Sequence, residues 1–126
     1  MKYINAAPSI IVTAFMAHAA LGHHASNLDY DADKVGTVEG VVQDIFWSNP
    51  HIHFYLTVTN EEGAEETWDM EGPNLSSLSR RNVSRDSVQV GDTIAITGTL
   101  GRDGHKRIWA NTIIKADGTV VMGERQ

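Results

Sequence analysis

The sequence predicts an all-β fold with one short helix. Apolar residues recur with a period of two in five stretches, and turns rich in glycine, proline and asparagine separate them. A single serine-rich segment departs from that rhythm and shows near-helical spacing instead.

Residues 37–47 form the first predicted strand. Val38, Gly40 and Val42 share one phase, Ile45 and Trp47 the other. A change of phase just after a glycine predicts a bend or bulge, which lets one strand serve two sheets. Asn49-Pro50 breaks the run, and residues 51–59 form the second strand. Side chains alternate across a strand, so Ile52, Phe54, Leu56 and Val58 face a core while His51, His53, Tyr55 and Thr57 share the other face.

Residues 60–63, with Gly63 suited to a left-handed position, connect to the third strand, residues 64–71. Pairing bulky apolar residues sets Phe54 opposite Trp68 and Ile52 opposite Met70. The same register sets His53 opposite Asp69 and His51 opposite Glu71. Gly72-Pro73-Asn74 opens the helical segment, where Leu75, Leu78 and Val83 recur. A turn at residues 89–92 leads into the fourth strand, 93–100, and another at 101–104 leads into the fifth, 107–115. Asp117-Gly118 then turns the chain into a short terminal strand, 119–122.

Three strands, a short helix and two strands is the order of an OB-like five-stranded Greek-key barrel, β-β-β-α-β-β. It is assigned to residues 35–126, with an open antiparallel sheet and one packed helix as the alternative. Such barrels bind ligands on the outer face of the second and third strands, the face that carries the histidines here. His105, in the loop after the fourth strand, is placed to reach the same side.

The chain ahead of the barrel reads differently. Lys2, a short apolar run over residues 9–16 and small residues up to Gly22 have the layout of a secretory signal peptide over residues 1–22. The apolar run is too short for a permanent membrane anchor, so the expected address is periplasmic. Residues 23–34 are polar and form an extended arm that begins His23-His24. Asp29, Asp31 and Asp33 mimic the start of a calcium loop, but Lys34 stands where that loop needs glycine and Gly40 where it needs glutamate. A solvated acidic turn accounts for them better.

Composition narrows the function classes. The 126 residues carry a net charge of −6 with ten basic and sixteen acidic residues. Removal of residues 1–22 takes Lys2 alone among them, leaving nine against sixteen, or −7. An acidic surface repels phosphate backbones and argues against nucleic acid as partner. Cysteine is absent, which excludes disulfides and thiolate metal sites. No Gly-x-Ser-x-Gly elbow, cofactor loop or complete acid–base pair is present, so a non-enzymatic binding module is expected.

Imidazoles beside carboxylates suit zinc, copper, iron or nickel. The candidate metal ligands are His23, His24 and His51, followed by His53 and Asp69. Small residues allow cleavage after Ala19 or after Gly22, and the latter would join the His23 amine and ring into a two-nitrogen chelate suited to copper(II). An alternative module of the same fold binds a small anionic or aromatic ligand, or a protein partner. It would use Trp47, Asn49 and Tyr55, with Arg80 and Arg81 as an anion clamp.

Several short motifs occur in order: His23-His24-Ala25-Ser26, Trp47-Ser48-Asn49-Pro50-His51, Thr67-Trp68, Gly72-Pro73-Asn74, Arg80-Arg81, Val90-Gly91-Asp92 and Asp117-Gly118. Together they resemble a family of small exported bacterial proteins, domain-of-unknown-function family 6152, across the whole mature chain. The resemblance implies export and a small β domain, and it brings no established activity.

Overall fold

The computed structural model describes residues 26–124, with side chains from Leu28 onward. The expected signal peptide and the two histidines of the arm, His23 and His24, lie outside the described residues. A single turn, α1 (Ser26–Asp29), leads into β1 (Tyr30–Phe46), followed by β2 (His53–Thr59) and β3 (Glu65–Glu71). Then come α2 (Leu75–Arg80), β4 (Thr93–Gly101), a 3-10 turn (Arg102–Gly104), β5 (Arg107–Lys115) and β6 (Val120–Met122). The six strands hydrogen-bond in the order β3-β2-β1-β4-β5-β6, all antiparallel neighbours, and β3 also pairs with β5 in parallel. The fold is therefore all-β with one short helix beyond the initial turn.

Strand β1 begins at Tyr30, seven residues before the expected start. No alternation reveals it, because residues 32–35 are all exposed and Asp31 is only partly buried. Its predicted change of phase is present. Val42 pairs with Leu56 and Asp44 with Tyr55, so Gln43 is an extra residue on β1 and the ladder bulges there. Val38 and Val42 are buried before the bulge, and Ile45 and Trp47 pack against the core after it.

The core is built from one face of each long strand. Ile52, Phe54 and Leu56 of the second predicted strand are fully buried with Met70, Ile94, Ile96, Ile108 and Ile113. Helix α2 joins this core through Leu78, which is fully buried. Asn74 caps that helix by accepting a hydrogen bond from the Ser77 amide at 2.9 Å.

The β2–β3 register differs from the predicted one by two residues. Phe54 faces Met70 and Leu56 faces Trp68, while His53 faces Glu71 and Tyr55 faces Asp69. A slip of two keeps every side chain on its own face, so the apolar pattern cannot choose between the registers. The loop chooses. The Asn60 side-chain oxygen accepts hydrogen bonds from the amides of Glu62 and Ala64, at 3.0 and 2.9 Å. That clasp makes residues 60–64 the connection, one residue longer than expected, with Thr59 facing Glu65.

Candidate functional site

The parallel pairing of β3 with β5 brings three remote parts of the chain together. Asp69, Met70 and Glu71 run beside Arg107, Ile108 and Trp109. Met70 and Ile108 point into the core, so Asp69, Glu71, Arg107 and Trp109 line the opposite face. The histidines of the second predicted strand and Tyr30 of β1 meet them there.

The contacts on this face form one network. His51 Nδ1 lies 2.5 Å from Glu71 Oε1, and the Tyr30 hydroxyl donates to Glu71 Oε2, also at 2.5 Å. His53 Nδ1 lies 2.8 Å from Asp69 Oδ1. Arg107 sits between the two carboxylates, 3.5 Å from Asp69 and 3.9 Å from Glu71, and its other nitrogen is 3.4 Å from Asp29. Its guanidinium also lies over the Tyr30 ring. Trp109 meets His51 edge-on at 5.0 Å between ring centroids and Tyr30 at 6.1 Å.

The predicted partnerships His51–Glu71 and His53–Asp69 therefore hold, although the register that suggested them does not. His53 reaches diagonally to Asp69, and His51 reaches Glu71 from just outside the ladder. The imidazole of His53 also stacks beside Tyr55, 6.1 Å away and nearly parallel.

Electrostatics tighten the network. Burial, reinforced by the hydrogen bond to Glu71, pushes the Tyr30 phenol well above the ordinary tyrosine range. Burial alone would lower the Arg107 pKa. The acidic groups around it, Tyr30, Asp29, Asp69 and Glu71, outweigh that effect, and the guanidinium stays charged.

The raised Tyr30 pKa fixes a sign. Above the unfolded tyrosine value of about 10, the unfolded chain gives up this proton while the folded chain keeps it. Stability is thus intact below about pH 10 and falls above it, by up to roughly 1.4 kcal/mol per pH unit. Chemical denaturation across that range should show a shallower alkaline decline in Tyr30→Phe than in the wild type. Equal slopes would show that Tyr30 titrates freely.

The remaining candidate residues are scattered. Trp47 packs against the core. Asn49 accepts a hydrogen bond from the Leu75 amide at 3.0 Å and so ties the β1–β2 loop to the start of α2. Arg80 is exposed, whereas Arg81 donates to the Gly123 carbonyl. His105 lines a cleft of about 320 Å³ that also includes Asp69, Lys106 and Arg107.

Sequence reasoning missed Tyr30, Arg107 and Trp109. Arg107 and Trp109 arrive through the β3–β5 pairing, between segments 38 residues apart, and Tyr30 through the β1–β4 pairing opposite Gly101, neither of which a local pattern encodes. Among the described residues, no three histidine, aspartate or glutamate side chains form a group able to hold a metal ion. No helix among them is long and apolar enough to cross a membrane.

A family model described as "Family of unknown function (DUF6152)" matches residues 11–109. No curated protein matches the chain.

Proposed function

The chain belongs to this family of unknown function, and from that premise we propose a periplasmic, non-enzymatic binding module: an OB-like barrel carrying a histidine-based transition-metal site. The barrel reading is supported by the β3–β5 pairing, which returns the fifth strand of the sheet order onto the first. The helix between the third and fourth strands stands where a five-stranded Greek-key barrel of this kind has one. Strand β6 is then an addition at the edge of β5.

The observation that carries the metal reading is that both imidazoles are held through Nδ1 by carboxylates. Histidines that bind metals typically donate one ring N–H to a carboxylate, which fixes the tautomer and leaves the other nitrogen to the ion. Here that other nitrogen is Nε2. Asp69 and Glu71 then act as outer partners, themselves anchored by Arg107 and Tyr30. A two-imidazole set needs further donors, and His23 and His24 are the proposed source. Six steps of chain separate His24 from Tyr30, a reach of at most roughly 20 Å, and Tyr30 is bound to the same Glu71 that holds His51.

Nitrogen-rich sites of this type favour copper(II) over zinc. Calorimetric titration of copper(II) into protein that begins at His23 should show tight binding. It should weaken when one residue is added before His23 and again in His51→Ala. Affinity should also fall on acidification, since imidazole binds metal only when unprotonated. Binding that survives both changes, or none at all, would overturn the proposal.

A further inference from the structure

A second cleft is lined in part by Trp109, the residue that meets His51 edge-on. It measures about 510 Å³ and is lined by Pro73, Arg81, Trp109, Ala110, Asn111 and Glu124. That volume falls in the range of small-molecule sites, roughly 300–1,000 Å³. We propose that this cleft binds a small aromatic zwitterion, such as a free aromatic amino acid.

The lining divides by chemistry. Pro73 and Ala110 are buried and contribute apolar lining, and Trp109 contributes an aromatic one that suits a second ring. Arg81 and Glu124 bring opposite charges to the same cleft. Arg81 uses one of its five N–H donors on the Gly123 carbonyl. The rest of the fork is the natural partner of a carboxylate. Glu124 would repel a plain anion but attracts an ammonium group. A ring, a carboxylate and an ammonium on one small molecule answer all three features.

The strand geometry makes room for the polar rim. Thr97 pairs with Thr112 and Gly98 with Ala110, so Asn111 is the extra residue of a bulge in β5. Bulges re-aim side chains, and this one leaves Asn111 exposed within the cleft lining. The cleft beside His105 lacks this availability. Its Arg107 is already matched by Asp29, Asp69 and Glu71, and its Lys106 by Glu66.

The test titrates phenylalanine into metal-free protein and follows the tryptophan indole N–H signals by two-dimensional NMR. The Trp109 signal, assigned with Trp109→Phe, should move and saturate while those of Trp47 and Trp68 stay. N-acetylphenylalanine, which lacks the ammonium, and phenethylamine, which lacks the carboxylate, should each bind about tenfold more weakly. Arg81→Gln should weaken phenylalanine binding by a similar factor while the rest of the spectrum shows an intact fold. No saturation up to about 10 mM, or equal binding of all three compounds, would overturn the proposal. Unchanged binding in Arg81→Gln would do the same. Because no metal is present, these failures would leave the copper reading standing.

Discussion

Truncating Phe54 to alanine should destabilise the domain by roughly 3–5 kcal/mol. Phe54 is 1% exposed and is the largest of the fully buried side chains. Its neighbours across the ladders are Ile45 on β1 and Met70 on β3, so the ring joins three strands at once. The cavity would be walled by residues that backbone pairing holds in place, which limits collapse and keeps the cost high. Domains of this size have only about 5–15 kcal/mol to lose. His53→Ala is the matched control, one residue away and facing outward. It removes one hydrogen bond to Asp69, which keeps Arg107 as partner. Its cost should be about 1 kcal/mol or less. Urea denaturation of the two variants decides the matter, with comparable losses showing that the faces of β2 are misassigned.

That contrast also marks what the sequence makes legible. Alternation in residues 51–59 is enough to sort Phe54 from His53, because burial on one face imposes a strict period. The bulge in β1 is equally legible, since Val42 and Ile45 cannot share a face without it. Register is not. A two-residue slip preserves the pattern, and only the clasp of Asn60 on its own loop decides the outcome. The site is half legible for a related reason. His51, His53, Asp69 and Glu71 come from two strands joined by a hairpin, where proximity follows from order. Tyr30 comes from a polar stretch with no periodicity, and Arg107 and Trp109 enter through a parallel contact that closes over a long separation. Trp47 was the aromatic candidate on the ligand face, yet it packs against the core, and the aromatic beside His51 is Trp109.

Gly98→Ala should be as damaging as the loss of Phe54, at about 3 kcal/mol or more, although it adds a single methyl group. A Cβ at this position would fall 1.9 Å from the Trp109 carbonyl oxygen, 2.8 Å from its carbon and 3.2 Å from the Ala110 Cα. All three are backbone atoms, so no change of side-chain rotamer relieves the clash. Strands β4 and β5 must part at the point where the Asn111 bulge already interrupts their ladder. Two other glycines calibrate the effect. Gly36→Ala would meet only the flexible end of Leu100, which can give way. Gly63→Ala meets nothing within 4 Å, and its cost is the left-handed backbone at φ +81°, about 1–2 kcal/mol. Thermal unfolding should therefore rank Gly98→Ala well below both. Because the displaced atom belongs to Trp109, any Gly98→Ala protein that still folds should also loosen the Trp109–His51 contact and weaken phenylalanine binding. A Gly98→Ala variant no less stable than Gly63→Ala would mean that β4 and β5 do not approach so closely, and the position of Trp109 beside His51 would fall with them.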